Sequence, residues 1–537
     1  MYKFLLKTPL RKVWQKVGLK KRAGVVFPLF SIFSKKSLGI GEIPDLKLAI
    51  DWCRKVGMTI LQVLPLNDTG FDFSPFNPQS SFALDPVYLS LRNLVGIEKE
   101  GIEKELKDLI PKFSLKTKFV NYQIKGEKLK KLWLIFLKRA SFPSGFKKFV
   151  RRDKYWLEDY CFFRVLKEVH KEKSWEEWEE SLKNRKEKSL LKFRKKYHKQ
   201  IEFQKWLQWQ LFEQFKKIKN YARKKKIFLK GDLPFSVSRD SADVWQNKKY
   251  FKLDFASGAP PDKFSRKGQR WGYPPYNWEE ILKDNFIGAH NFLCARLKYF
   301  QNFYDLFRLD HIVGFFRIWV IPAKIPLTKQ RVIGFFDPKD KKIWEERGRR
   351  ILKLIIENTK MLPCAEDLGT VPSFCFKIME ELGIPGLEVQ RWKRNWQNFE
   401  YLKPGEYRPL AVATLSTHDL NPFPAWWEKE VTEEDSKKFW KMIFLKGKVP
   451  KKAEKTLIKR NLELIHSSAS IFVILPVFEW LFLGDILKGD PHRYRINKPG
   501  TISKFNWTLR MPIFLENLLN HPINSQIRGI IQKTKRV

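Results

Sequence analysis

Three motifs in this sequence place an acidic residue at or just after the end of a short apolar run. Asp310 follows LFRL, Glu366 follows MLPCA, and Asp419 lies in STHD shortly after AVATL. Two carboxyl groups beside a sugar can cleave a glycosidic bond, because one protonates the leaving oxygen while the other attacks the anomeric carbon. A third carboxylate can stabilise the charged intermediate. The three acids therefore indicate glycosidic chemistry.

The neighbouring residues predict different protonation states for the first two acids. Alternation along a strand places Arg308 and Asp310 on one face, so the guanidinium should keep the carboxylate ionised, as a nucleophile requires. Glu366 ends an apolar strand, where burial can raise the pKa of a carboxyl group and make it a general acid. The alternative is that each acid only caps a helix or sits in a buried ion pair. Three such motifs at equivalent positions favour the catalytic interpretation.

The elements that must position these acids are eight apolar runs, each ending in a polar or small cluster, with helical patterns between them. This alternation is typical of parallel strands in βα units, and eight strands can close a (β/α)8 TIM barrel, which places catalytic groups at the carboxyl ends of its strands. The runs are Gly24–Phe30, Thr59–Leu66, Ile227–Leu233, Leu306–Asp310, Met361–Glu366, Leu387–Gln390, Ala411–Leu415 and Ile471–Leu475.

A long insertion separates the second run from the third. Residues 96–225 are rich in Lys, Glu, Trp and Phe at helical spacing, which predicts a helical subdomain inserted in a barrel loop. The barrel then comprises residues 1–95 and 226–537, with further loop insertions around the active site. The last residues, KTKRV, are expected to fray.

The cysteine content and the distribution of apolar residues indicate the cellular compartment of the protein. The five cysteines are scattered and odd in number, which indicates reduced thiols in a cytoplasm rather than a disulfide framework. The basic start lacks the apolar core of a signal peptide. The most apolar stretch, from Ile471, contains Pro476, Glu479 and Asp485, so we interpret it as a buried strand entering a helix and expect no membrane association.

The net charge of +46 raises a different possibility, a non-catalytic protein that binds nucleic acid or anionic membrane. The charge is spread along the chain, is largely lysine, and lacks any recognisable nucleic-acid-binding motif. We therefore expect no nucleic-acid partner. A cluster of lysines on one face, with salt-sensitive binding, would favour the alternative.

The motifs also resemble those of a known family. RLDH, AEDLG and STHD, together with KGDLPFSVSRDSADVW, GQRWGYPPYNW and RINKPGTISKFNWTLR, are similar to the amylomaltase family of 4-alpha-glucanotransferases over nearly the whole chain. The resemblance implies Asp310 as nucleophile, Glu366 as acid/base and Asp419 as transition-state stabiliser. The substrate-binding residues that it implies are Arg308, His311, His418, Asp232, Trp271, Asp262 and Phe76.

Some of these positions match the family's pattern and others differ from it. Asp262 lies in a loop implied to cover the acceptor side, and Trp271 is the implied sugar-stacking ring. Phe76 stands where many members have tyrosine, which retains stacking but loses a hydroxyl contact. Phe478 and Glu479 stand where a Gln-Asp pair is common, so that part of the site is left open.

The activity implied is retaining transfer of α-1,4-glucan segments from maltooligosaccharides, by double displacement and without cofactor or metal. The nearest alternative is an α-amylase-like retaining hydrolase with the same three carboxylates, in which water intercepts the intermediate. The sequence does not distinguish donor and acceptor preferences, and it does not predict the oligomeric state.

Overall fold

Eight parallel strands form the central sheet of this protein. The computed structural model describes residues 2–107, 109, 113, 117–139, 141–261, 267–283, 292–324, 333–395, 397–444, 446–501 and 503–536. The strands are β1 (Arg22–Val26), β2 (Ile60–Gln62), β3 (Phe228–Leu233), β4 (Leu306–Leu309), β5 (Leu362–Ala365), β6 (Gly386–Val389), β7 (Ala411–Thr414) and β8 (Phe472–Pro476).

The sheet curves into the predicted (β/α)8 barrel. Its order is β6-β7-β8-β1-β2-β3-β4-β5, with parallel pairing throughout. The amide of Ala365 donates to the carbonyl of Pro385 at 2.7 Å, which links β5 to the residue preceding β6. All eight predicted strands are confirmed. The first is shorter than predicted because Pro28 has no amide hydrogen to donate, and a 3-10 turn follows at Leu29–Ser31.

Helices cover the outside of the barrel after most strands. The segment between β6 and β7 is an exception, since its described residues form only the 3-10 turns Gln390–Trp392 and Pro404–Glu406. The covering helices are Leu46–Val56, His198–Lys224, Phe292–Phe300, Trp344–Glu357, Ser373–Leu382, Lys455–His466 and Val477–Leu483.

The segment between β2 and β3 is helical, as its pattern predicts. Its last helix, His198–Lys224, packs against the barrel helix Leu46–Val56. The side chains of Gln208 and Gln214 each accept from and donate to the backbone of the loop that follows β2, at 2.8–3.0 Å. The other helices of the segment are Lys99–Lys107, Gln123–Lys138, Ser144–Arg152, Lys154–Val169, Glu180–Lys183 and Glu187–Lys196. The division into 1–95, 96–225 and 226–537 stays a prediction.

A second, antiparallel sheet was not predicted from the sequence. Its strands, in sheet order, are Gln269–Arg270, Phe255–Ala259, Ile318–Pro322 and Phe335–Asp337. Two of these strands have only two or three residues, too few for an alternating pattern to be recognised. The sheet lies in the loops that follow β3 and β4, on the carboxyl-end side of the barrel.

The apolar stretch from Ile471 has the predicted form. Strand β8 runs directly into the buried helix Val477–Leu483. Throughout the described ranges, no helix combines the length and apolar character needed to span a membrane. The five cysteines are all buried and free.

The expectation that the chain end frays is wrong for Arg536. This side chain is fully buried and donates to the carbonyls of Ser468 at 2.6 Å and Ser470 at 2.9 Å, and also to that of His466. Near the other terminus, the Tyr2 hydroxyl donates to the Ala469 carbonyl at 2.6 Å. Both chain ends are therefore held by the loop that precedes β8.

We expect Arg536→Ala to lower the free energy of unfolding by about 3 kcal/mol, because it leaves several buried carbonyls without a donor. Thermal or denaturant unfolding checks this. Lys533→Ala, an exposed substitution on the preceding helix, is the control. Equal stability of the two variants would contradict a structural role for the buried guanidinium.

Candidate active site

One guanidinium group gathers three carboxylates at the carboxyl end of the barrel. Arg308 lies on β4, paired in register with Asp232 of β3. Its Nη1 atom lies 3.0 Å from Oδ1 of Asp232 and 2.7 Å from Oδ1 of Asp310, and its Nη2 atom lies 3.6 Å from Oε2 of Glu366. The predicted contact between Arg308 and Asp310 is confirmed.

Backbone amides fix the orientation of the two central carboxyls. Asp310 accepts from the Phe235 amide at 3.1 Å, while Glu366 accepts from the amides of His311 and Leu368 at 3.0 Å each. His311 adopts a φ of 44°, in the left-handed region that non-glycine residues rarely occupy. Because the His311 amide donates to Glu366, the strained residue is in direct contact with this carboxyl group.

Glu366 has the perturbed protonation that its sequence context predicts. Burial raises the pKa of its carboxyl group, the Arg308 cation lowers it, and the nearby Asp310 carboxylate raises it, with a net pKa of about 7. The group is therefore partly protonated at neutral pH. A carboxyl in this state can give a proton in one step and accept one in the next.

Asp419 approaches the same cleft from the loop after β7 and has the opposite character. Although burial raises the pKa of this carboxyl, His418, Asn497 and Arg308 outweigh it and lower the pKa to about 2. The Nε2 atom of His418 lies 3.3 Å from Oδ2 of Asp419, and the Asn497 amide donates to Oδ1 at 2.6 Å. The guanidinium of Arg495 donates to the Asp419 carbonyl at 2.6 Å. Asp419 is thus held ionised and fixed from both sides.

Two histidines flank the acids in different states. Burial lowers the pKa of His311 to about 4, so its ring is neutral at neutral pH. The ring lies nearly perpendicular to that of Trp271, with centroids 4.8 Å apart. For His418, burial lowers the pKa but the Asp419 carboxylate outweighs it, and the net pKa is raised. The His418 ring stacks on Phe76 with centroids 4.7 Å apart. Each histidine ring therefore packs against an aromatic side chain that lines the cleft.

These groups open into one cleft of about 2740 Å³. Asp232 does not line it, because its side chain is fully buried behind Arg308. Asp262 falls outside the described residues, and contacts of either residue with a ligand stay predictions. The predicted site residues that line the cleft are Phe76, Trp271, Arg308, Asp310, His311, Glu366, His418 and Asp419.

Sequence reasoning assigned no role to several residues that the structure brings to the cleft. Asn497 and Trp507 belong to the quoted RINKPGTISKFNW segment, so the motif itself was the available signal. Tyr273, which follows the predicted stacking ring Trp271 by two positions, also lines the cleft. Burial raises the pKa of its hydroxyl, and the carboxylates of Asp310, Asp72 and Asp419 raise it further. It is therefore a neutral hydroxyl near three anions.

Phe478 and Glu479, which stand where a Gln-Asp pair was expected from the resemblance, lie away from the cleft. Phe478 is buried in the core. Glu479 accepts from the Phe423 amide at 3.1 Å and from the Ser416 hydroxyl, so it braces both ends of the loop that carries Asp419. Across the ranges that the structure describes, no group of three or more His, Cys, Asp or Glu side chains is arranged to hold a metal ion.

Comparison with known proteins gives a consistent result. The sequence model of the 4-alpha-glucanotransferase family matches residues 27–516. The chain is 37% identical to a 4-alpha-glucanotransferase of Chlamydia pneumoniae, over 99% of this chain and 98% of the relative. It is 26% identical to one of Oryza sativa subsp. japonica, over 96% of this chain and 70% of the relative. The fold is similar to that of an amylomaltase from Streptococcus agalactiae in complex with acarbose, with a TM-score of 0.81, 24% identity, and coverage of 96% of this chain and 100% of that chain.

We expect Arg308→Met to raise the pKa of Glu366 above about 7, because it removes the cation that opposes burial and the Asp310 charge. Carboxyl titration by carbon-13 NMR, with Glu366→Gln to assign the signal, measures this. Arg239→Met is the control, since Arg239 lines the same cleft but pairs with Glu176. An unchanged or lowered pKa in Arg308→Met would contradict the proposed electrostatics.

Proposed function

We infer the roles of the site residues from one premise: the chain belongs to the 4-alpha-glucanotransferase family. It is an enzyme that transfers α-1,4-glucan segments from a donor to an acceptor. The observation that carries our assignment of roles is the contact of one guanidinium with Asp232, Asp310 and Glu366 at the base of the cleft. Of these three, Asp310 and Glu366 also line the cleft, which supports their acting on the same sugar.

In the first step, Asp310 attacks the anomeric carbon of the donor. The bond between that carbon and the glycosidic oxygen breaks, and Glu366 gives its proton to the departing oxygen. The products are a glycosyl ester on Asp310, a free glucan with a new 4-hydroxyl, and an ionised Glu366. The Phe235 amide donates to Oδ2 of Asp310 and the Arg308 guanidinium contacts its Oδ1, so these two contacts limit rotation of the carboxylate.

In the second step, the 4-hydroxyl of an acceptor glucose or glucan attacks the anomeric carbon of the glycosyl ester. Glu366 takes the hydroxyl proton, a new α-1,4 bond forms, and Asp310 leaves as a carboxylate. Two inversions at one carbon retain its configuration. A pKa near 7 suits a residue that must be an acid first and a base afterwards.

Asp419 stabilises the oxocarbenium-like transition states of both steps. Its low pKa keeps it ionised, and its fixed position beside His418 and Asn497 limits the reorganisation needed as charge develops. Phe76 and Trp271 provide flat surfaces for pyranose rings, with Arg308, His311 and His418 as hydrogen-bonding groups. We keep Asp232 and Asp262 as substrate-binding predictions.

The main alternative, a hydrolase, differs only in what attacks the ester. Water is always available, so transfer requires an acceptor that is bound and oriented before water arrives. The cleft supports this requirement, because its volume of about 2740 Å³ exceeds the roughly 300–1,000 Å³ of most ligand pockets. We propose maltooligosaccharides and longer α-1,4-glucans as the substrates, with no cofactor.

Two further assignments are also proposals. The five free, buried cysteines support a cytoplasmic location. We propose no nucleic-acid partner, although the charge of +46 makes weak electrostatic binding worth measuring across salt concentrations.

Incubation with maltotriose tests the function. We expect a ladder of longer and shorter glucans, whereas glucose and maltose alone would indicate hydrolysis.

Asp310→Asn should reduce turnover to below about 1% of wild type because the amide is not a nucleophile. Circular dichroism would verify its fold, and a folded variant that keeps more than a few percent of activity would refute Asp310 as nucleophile.

The pH dependence tests Glu366. The first step needs its protonated form, so kcat/KM for maltotriose should fall as pH rises through about 7, approaching tenfold per pH unit. Initial rates from pH 5 to 9 at constant ionic strength measure this. A profile that stays flat to pH 9 would exclude Glu366 as the acid with this pKa.

A further inference from the structure

A buried ion cluster ties the loop beside the active site to the helical segment between β2 and β3. The loop, residues 67–85, carries Phe73 and Phe76 into the cleft. Its two ends meet, since the Asp68 amide donates to the Ala83 carbonyl at 2.9 Å and the Asp85 amide donates to the Leu66 carbonyl at 2.9 Å. Asp68 and Asp85 therefore lie side by side at the base of the loop.

One ammonium group contacts both aspartates. The Nζ atom of Lys125, in the helix Gln123–Lys138, lies 2.7 Å from Oδ1 of Asp68 and 2.9 Å from Oδ1 of Asp85. It also donates to the carbonyl of Gly70 inside the loop. All three charged side chains are at most 4% exposed, so water does not screen these contacts.

The loop of residues 67–85 contains a strained residue that contacts with the neighbouring helical segment can stabilise. Phe73 adopts a φ of 64°, a strained conformation for a residue with a side chain. Its ring stacks at 4.4 Å on Tyr122, which immediately precedes the helix of Lys125. At the far side of the loop, Phe76 stacks on His418. The helix thus fixes the loop at its base and along its length, while the loop packs on a residue that holds Asp419.

We propose that Lys125 is a positioning residue for glucan binding: by joining Asp68, Asp85 and the Gly70 carbonyl, it holds the loop so that Phe76 remains against His418. The inference rests on the proposed function, because it assigns Phe76 to the sugar-binding surface. Lys125 itself is buried away from the cleft and touches neither substrate nor the reacting atoms. Its loss should weaken binding more than chemistry.

The test compares Lys125→Met with Lys128→Met. Lys128 lies one turn further along the same helix and is equally buried, but its partners are Glu42 and the Val87 carbonyl, which do not line the cleft. Both substitutions remove a buried cation. A purely structural effect should therefore appear in both variants.

For Lys125→Met we expect KM for maltotriose to rise about tenfold with kcat within about threefold of wild type, and for Lys128→Met we expect KM within about twofold. Phe76→Ala should raise KM as well. If Lys125 acts through Phe76, the double variant should show little further change, because effects on one pathway are not additive.

Equal KM values for folded Lys125→Met and wild type, equal increases in the two lysine variants, or full additivity with Phe76→Ala would overturn the inference. If Lys125→Met does not fold, the isosteric Asp85→Asn decides the question, with a KM increase expected and an unchanged KM overturning the inference.

The proposed function and the role of Lys125 can be rejected independently of each other. Absence of a glucan ladder from the wild-type protein would reject the function, whereas a normal ladder with an unaffected KM in these variants would reject only the role of Lys125.

Discussion

The active site depends on holding like charges together. Two unit charges about 5 Å apart repel each other by roughly 3 kcal/mol at an effective dielectric constant of about 20. Three carboxyls at the end of a barrel can therefore coexist only with a cation among them or with a proton on one. This protein uses both solutions. Arg308 contacts Asp232, Asp310 and Glu366, and Glu366 keeps its proton up to about pH 7.

The barrel makes this arrangement possible at low conformational cost. Because β3, β4 and β5 are adjacent and parallel, residues far apart in sequence end at the same edge in fixed register. Asp310 and Glu366 are then held by backbone amides as well as by Arg308, so their positions do not depend on flexible side chains alone. Asp419 comes from a longer loop and needs separate support from His418 and Asn497.

Sequence periodicity was sufficient to predict the eight strands, since each lies within a short, largely apolar run, even β2, which itself has only three residues. Strand alternation was also sufficient to place Arg308 beside Asp310. Strand alternation could not predict the contacts of Arg308 with Asp232 and Glu366, because those contacts depend on the register between neighbouring strands. The motif that contains Asn497 marked its segment of the chain, but the contact of Asn497 with Asp419 could not be predicted, because the two residues are far apart in sequence. Lys125 was equally hidden, since in a chain so rich in lysine a buried lysine on a helix looks like any surface one.

The central claim is that Asp310 forms the covalent bond while Glu366 transfers the proton. Trapping the intermediate tests it most directly. The enzyme would be incubated with 5-fluoro-α-D-glucosyl fluoride. The fluorine at C5 of this reagent destabilises the oxocarbenium-like transition state and slows turnover of the ester. Peptide mass spectrometry would then locate the label. Our account predicts one glucosyl adduct on Asp310, whereas an adduct on Glu366 or Asp419 would contradict it.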